Sequence, residues 1–357
     1  MNERAAGAAT GPAGLADVPG VFLGHAEVDS SGVSVVVCPD GAVGAVDVRG
    51  GGPGTRETDL LDPSNTVDTV HAVALCGGSA FGLDAAGGVM AGLEARGIGL
   101  QVPGPRPEPD APSLIVPIVP AAVIFDLPVG DPSSRPTADT GRRAVSDALE
   151  GPRGAGSTSR AGNVGAGLAA TAGAVKGGFG QAGETVHLTD GGTATVAVGV
   201  VANPVGSVVD PGTGRLWGPL PGDGADVPAP TADGLRTILA RGIGGTKMTD
   251  SGPSPMNTAI GVAATDAPVN KAQARRLAMA AHDGLARAVR PSHLPMDGDT
   301  FFALAPSGTR AGTDTTDLAL LCAAVASCTE RAVVNAVLAA ETAFDVPSWR
   351  DIMTGTT

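Results

Sequence analysis

Threonine 258 follows an asparagine where a Gly-, Ser- and Pro-rich approach, "SGPSPMN", gives way to the apolar run "TAIGVAA". A threonine hydroxyl is a poor nucleophile until a base removes its proton, and a chain-terminal threonine carries such a base in its own α-amine. With an ordinary pKa of about 7.7–8.0 that amine is partly neutral near pH 7, and burial lowers it further. It exists only if the Asn257–Thr258 bond is cut. The same hydroxyl can do the cutting, by attacking the Asn257 carbonyl to give an ester that water then opens. Two carboxylates, Asp297 and Asp299 of "MDGDTFFA", stand two apart at the start of another strand-like run, so both face one side and could orient the hydroxyl and the amine. On spacing alone, Thr258 reads more readily as the first residue of a strand, and "DGD" as a turn or a calcium-like loop.

Other chemistry finds less support. In "GIGGTKMTD", Thr246 separates the glycine from Lys247 and breaks the phosphate-loop spacing, and in "GNVGAGLAATAG", Ala170 stands where a dinucleotide loop needs its third glycine. In "GGSAFG", Phe81 replaces the last glycine of a nucleophile elbow, which leaves Ser79 as a helix cap or a substrate-loop residue. His25, His71, His187, His282 and His293 are scattered without ligand spacing and read as structural, so no metal or cofactor is expected. Cys38, Cys76, Cys322 and Cys328 form no C-x-x-C pair and read as small buried apolar residues.

The 357-residue chain is 43% apolar, enough for a substantial core, and carries a formal net charge of -13. Its lysines are Lys176, Lys247 and Lys271, with no basic run, which argues against binding a phosphate backbone. No run approaches the roughly 18–20 consecutive apolar residues that cross a bilayer. The first twenty residues lack a signal pattern, so the expectation is a soluble cytoplasmic protein with a flexible arm over residues 1–20 and a single domain over 21–357.

The elements that must position these residues follow from periodicity. Strands are expected at "GVSVVVC", "TVHAVALC", "AAVIFDL", "ATVAVGVVA", "TAIGVAA" and "TFFALA". "SAFGLDAAGGVMAGLEARG" predicts a helix with Ser79 as N-cap, Gly97 past its end, and Leu83, Ala86, Met90 and Leu93 on one stripe. "NKAQARRLAMAAHDGLARAVR" predicts a second, with Ala274, Leu277, Ala278, Ala281, Leu285 and Ala288 at i, i+3, i+4 spacing; "DLALLCAAVASCTERAVVNAVLAAET" predicts a buried third. Residues 101–117 and 210–234 read as irregular. Strands and helices do not alternate as a doubly wound fold requires, so helices packed on both faces of layered, mainly antiparallel sheets fit better.

In chain order, "TDLLDPSNTVDTVHAVALCGGSAFGLDAAGGVM", "VPIVPAAVIFDL", "GNVGAGLAAT", "VAVGVVANPVG", "MNTAIGVAATDA" and "QARRLAMAAHDGLARAVRPSHLPMDGDTFFA" resemble the DmpA-like L-aminopeptidase/D-amidase-esterase family, which includes nylon-oligomer hydrolases. The resemblance implies an α/β fold of four α-β-β-α layers and hydrolysis of amide or ester bonds. It also implies self-cleavage into residues 1–257 and 258–357, which stay together, commonly as tetramers of such units. Carried over by motif, Thr258 is the nucleophile, Asp297 and Asp299 hold the places of the carboxylate pair of the nylon-oligomer branch, and Asn203 of "VANPVG" supplies an oxyanion donor. Gly77, Gly78 and Ser79 would lie near substrate, with backbone N–H groups on offer. Phe125 stands where relatives often carry a tyrosine, and the family's assisting lysine falls on Ala174, with Lys176 two residues later able to substitute. The expected substrates are short peptides, β-amino-acid peptides or linear amide oligomers of the 6-aminohexanoate type, by hydrolysis or acyl transfer. An uncleaved binding protein of the same fold is the alternative.

Overall fold

The 18-residue strand Ser31–Val48 is the spine of the molecule because both of its faces are apolar. Val33, Val35 and Val37 point one way and Val36 and Cys38 the other, and all five are buried. Pairing shifts register between Val37 and Ala42, with Gly41 at φ +83° in the break. Before the break the strand pairs antiparallel with Val70–Cys76; beyond it, from Val43, it pairs antiparallel with Thr300–Ala305. One strand therefore leaves one sheet and enters another.

The computed structural model describes residues 14–102, 114–151, 160–222, 224–249, 252–253 and 257–356. The first sheet is completed by Phe22–Val28, Ala121–Val123 and Thr55–Arg56, the second by Gly178–His187, Thr193–Ala202 and Ile260–Thr265. All neighbours in these sheets run antiparallel except Val70–Cys76 with Ala121–Val123 and Ile260–Thr265 with Thr300–Ala305.

Three buried clusters fill the three gaps between four layers. Helices Asp84–Glu94 and Ala138–Glu150 cover the first sheet through Val89, Leu93 and Val145. Leu23, Val36, Leu75, Val201, Ile260 and Phe302 fill the gap between the sheets. Helices Lys271–Ala288 and Thr315–Ala339 cover the second sheet through Leu277, Leu285, Val325 and Val333. Each such side chain contributes roughly 1.5–3 kcal/mol when fully buried. This is the α-β-β-α sandwich that the family resemblance implies.

All six stripe residues of Lys271–Ala288 are buried, and Asn270 and Gln273 close a capping box at its start. Thr315–Ala339 is, among the described residues, the one helix long and apolar enough to cross a membrane, but 61% of that window is buried in the fold. It lies on Gly178–His187 so closely that a Cβ at Gly180 would come within 2.1 Å of the Ala332 carbonyl oxygen. It is a core helix.

Several expectations need correction. The chain is packed from Gly14 on, with Leu15 and Val18 in the core, so residues 14–20 are no loose arm; residues 1–13 lie outside the described ones. Ser79 caps nothing: it begins a short 3-10 turn, Ser79–Leu83, at φ +54°, and the α-helix starts only at Asp84. Leu100–Val102 pairs with Leu114–Val116, although residues 103–113 of that irregular stretch lie outside the described residues. A helix, Ala232–Ala240, begins before the second irregular stretch ends. Cys322 is only half-buried, unlike the other three cysteines.

Candidate active site

The parallel ladder of Ile260–Thr265 with Thr300–Ala305 extends backward past both strands. Thr300 N–H donates to Ala259 O at 3.1 Å, Gly298 N–H to Asn257 O at 2.8 Å, and Asn257 N–H to Met296 O at 3.0 Å. "MDGD" is thereby laid along "NTA", with Thr258 opposite Gly298 and an aspartate on either side of that glycine. A Cβ at position 298 would sit 2.7 Å from Thr258 Oγ1 and 2.7 Å from Gly52 O, so the closeness of the two segments requires glycine.

Thr258 is buried, and its hydroxyl donates to the carbonyl of Asn257 at 2.5 Å. Its N–H donates to the backbone carbonyl of Asn203 at 3.1 Å. Both carboxylates are fully buried and are occupied by backbone around the junction. Asp297 accepts the N–H groups of Val205 (3.1 Å) and Leu294 (3.0 Å). Asp299 accepts the N–H of Ala259 (2.9 Å), and its other oxygen takes the His293 N–H (3.1 Å) and ring Nδ1 (2.8 Å). Burial pushes the Asp297 carboxyl up, to about 6; the charge of Asp299 adds to the rise, and the Val205 and Leu294 N–H groups oppose it.

Asn203 is fully buried beside the junction but uses its side chain elsewhere: Nδ2 donates to Phe125 O at 3.1 Å and Oδ1 accepts Thr171 N–H at 2.9 Å. In the continuous chain the Asn257 carbonyl accepts both Gly298 N–H and the Thr258 hydroxyl, and Asn203 meets Thr258 through its backbone oxygen. Lys176, expected as a substitute for the family's assisting lysine, is fully buried with its ammonium on the carbonyls of Gly167 (3.3 Å), Ala170 (2.8 Å) and Gly177 (2.9 Å). Desolvation lowers its pKa to about 7 against the pull of Asp126.

A cavity of about 170 Å³ opens beside Thr258, lined by Gly52, Pro53, Gly54, Ser79, Ala80, Val123 and Phe125. Ser79 and Phe125 therefore do reach the site, Phe125 with a ring that carries no hydroxyl. Gly77 and Gly78 do not offer their N–H groups to it: Gly77 donates to Gly32 O at 2.8 Å and Gly78 to Asp126 Oδ1 at 2.6 Å. Their part is to hold the turn that presents Ser79.

Three contributors escape a reading of the sequence alone. Lys247 places its ammonium on Asn203 O (3.4 Å), Asn203 Oδ1 (3.3 Å) and the side-chain oxygen of Asn257. Desolvation lowers its pKa to about 7, with Asp297 opposing and Lys176 adding. Its scarcity was the available signal, as one of three lysines. His293, read as structural, adopts φ +58° and donates to Asp299, while His282 packs edge-on against it and bonds Asp47 O at 2.9 Å through Nε2. Gly298 is visible only as the spacer of "DGD". Among the described residues no group of three His, Cys, Asp or Glu side chains could hold a metal ion.

A family model described as Peptidase family S58 matches residues 14–346. An "uncharacterized aminopeptidase" of Mycobacterium tuberculosis is 44% identical over 370 residues, covering 96% of this chain and 98% of that protein. A "6-aminohexanoate-oligomer endohydrolase" of Paenarthrobacter ureafaciens is 29% identical over 295 residues, covering 81% and 73%. Among solved structures, an L-aminopeptidase D-Ala-esterase/amidase from Ochrobactrum anthropi, described as a variant of the Ntn hydrolase fold, superposes with a TM-score of 0.66 at 20% identity, covering 96% of this chain and 93% of that one. A Burkholderia sp. beta-aminopeptidase superposes with a TM-score of 0.63 at 22% identity, covering 92% and 88%.

Proposed function

Because the chain belongs to peptidase family S58 and is an amide-bond hydrolase of the Ntn type, we propose that it cuts itself between Asn257 and Thr258 and then uses Thr258 as an N-terminal nucleophile. The observation that carries this reading is the Thr258 hydroxyl lying 2.5 Å from the carbonyl oxygen of the residue before it, with Gly298 N–H on that same oxygen. As Oγ bonds to the Asn257 carbon, negative charge builds on the oxygen that Gly298 already holds. The C–N bond breaks, the hydroxyl proton passes to the Thr258 nitrogen, and water hydrolyses the resulting ester. The products are an Asn257 carboxylate and a free α-amine.

In turnover the same atoms repeat the step on a substrate. The α-amine, held by Asn203 O, takes the hydroxyl proton as Oγ attacks the substrate carbonyl, then passes it to the departing amine. Water attacks the acyl ester and restores the enzyme. Asp299 fixes the backbone at Ala259, next to the nucleophile, and Asp297 holds Val205 and Leu294 around it, so the geometry is set before substrate arrives. The fragments 1–257 and 258–357 stay joined because their strands, Ile260–Thr265 and Thr193–Ala202, are neighbours in one sheet; assembly of such units into tetramers is part of this reading.

The cavity is smaller than the roughly 300 Å³ at which small-molecule sites usually begin, which suits short peptides or linear amides presented a few atoms at a time. The relatives' names pull between these, one an aminopeptidase and one an oligomer endohydrolase. Intact mass of purified protein is the first test: the wild type should resolve into two fragments and Thr258→Ala should stay at full length. A wild-type chain that stays intact on prolonged incubation sinks the proposal. Aminoacyl anilides, β-amino-acid peptides and 6-aminohexanoate oligomers then separate the substrate classes.

A further inference from the structure

Lys247 spans the bond to be cut. On one side its ammonium holds the side-chain oxygen of Asn257, the residue that becomes the acyl group; on the other it holds Asn203 O, the acceptor of the Thr258 N–H. Asn257 is buried and Lys247 half-buried, so this contact is partly screened from water, where a charge-assisted hydrogen bond is stronger than in bulk solvent. A cavity of about 390 Å³ adjoins the lysine, and its other lining residues, Thr171, Gly173, Ala174, Arg241, Thr246 and Val346, include a second cation and no carboxylate.

A self-processing nucleophile forms the same ester twice, first with its own chain and then with substrate. The carbonyl carbon must reach the same Oγ each time, so the group attached to that carbon falls in the same place. Resting on the proposed function above, we infer that Lys247 is the recognition group of the acyl-side subsite, that Asn257 is its first occupant, and that the preferred substrates carry an oxygen-bearing acyl side chain of the asparaginyl or aspartyl kind. When Asn257 leaves, the ammonium loses an acceptor that an asparaginyl side chain restores and a leucyl side chain cannot. Left with Asn203 alone, the half-buried ammonium makes one charge-assisted hydrogen bond fewer with the apolar substrate.

Two independent readouts test this. In self-cleavage, followed by intact mass, Lys247→Met and Asn257→Leu should each slow processing at least about tenfold, the usual worth of one hydrogen bond to a charged group, and the double variant should be no slower than the worse single one. In turnover, processed wild type should hydrolyse asparaginyl p-nitroanilide over leucyl p-nitroanilide by at least about tenfold in kcat/KM, and Lys247→Met should level the two. Lys247→Arg, which keeps a donor, should retain part of the preference. The wild-type comparison and Asn257→Leu need no lysine variant, so they decide the matter even if Lys247→Met does not fold. Processing by Asn257→Leu at the wild-type rate, or equal turnover of the two anilides, overturns the inference and leaves the hydrolase reading standing. A wild type that neither cleaves itself nor hydrolyses any anilide removes both.

Discussion

The N–H of Gly298 and the carbonyl of Asn257 form a hydrogen bond of 2.8 Å that continues a parallel β-ladder into the candidate active site. On the proposed self-cleavage, sheet geometry would supply a backbone donor to the developing oxyanion. The tight fit makes this testable. Gly298→Ala would place a methyl group 2.7 Å from Thr258 Oγ1 and 2.7 Å from Gly52 O. We expect self-cleavage to slow by roughly five- to 150-fold, the rate equivalent of the ~1–3 kcal/mol that overpacking usually costs when that strain falls on the transition state. Intact mass against time measures the rate, and a circular-dichroism melt separates a blocked site from an unfolded one.

His293 should matter through Asp299 and not through contact with the nucleophile. Its ring Nδ1 and its N–H both reach one carboxylate oxygen, while the other oxygen holds Ala259 next to Thr258. His293→Ala removes a hydrogen bond to a charged group, typically about 1.5–3 kcal/mol, and puts alanine at φ +58°. Asparagine tolerates that left-handed backbone better and can still donate. Processing should fall in the order wild type, His293→Asn, His293→Ala; equal rates for all three would show that Asp299 needs no such support.

How far the sequence discloses this site depends on the kind of information each residue carries. Strands such as Val70–Cys76 are legible because all seven residues are buried and all but His71 are apolar. Ala138–Glu150 is harder to read although its two faces segregate at helical spacing, because its inner face of Thr140, Gly141, Ala144, Val145 and Ala148 carries a single large apolar side chain. Gly178–His187 hides for a related reason: glycines that let helix Thr315–Ala339 approach weaken its strand signature. Thr258 and the two aspartates could be read from motif and order. Lys247 could not, because its role arises where Asn203 and Asn257 converge from distant segments of chain. Asn203 was legible as a site residue, but its side chain turns to Phe125 and Thr171.

Lys176 gives a stability prediction with a definite sign. Burial lowers its folded pKa to about 7, against 10.5 unperturbed. Between pH 7 and about 8.5 the unfolded chain keeps this proton while the folded chain releases it, so the unfolded state binds more protons and unfolding free energy rises with pH. The slope is at most about 1.4 kcal/mol per pH unit for one proton. Urea unfolding at several pH values should show that rise in the wild type, and Lys176→Met should reduce it by up to that slope, leaving the share that Lys247, also lowered to about 7, contributes. Because the variant leaves three buried carbonyls with one partner fewer, it should also be less stable at pH 8.5.

Asp297 makes rate and stability move in opposite directions on acidification. Its folded carboxyl titrates near 6, above the 3.8 of an unperturbed aspartate, because burial and then the charge of Asp299 disfavour ionisation. From pH 7 down toward 4 the folded chain takes up this proton before the unfolded chain does, so this group adds stability as pH falls through the window and loses it again as pH rises through 6. Ionised, it accepts N–H groups on both oxygens, from Val205 and Leu294, and keeps "DGD" aligned with the junction. Protonated, one oxygen carries a hydrogen and that alignment loosens. Self-cleavage should therefore slow below about pH 6, and Asp297 should offset part of the acid destabilisation that buried His25 and His282, held neutral in the fold, impose over the same range. Asp297→Asn, whose amide cannot accept on both sides, should process slowly at every pH and lose the stability gain between pH 7 and 5. A wild-type rate that stays level down to pH 5, or one pH–stability curve shared by wild type and Asp297→Asn, would leave Asp297 no part in the pH dependence.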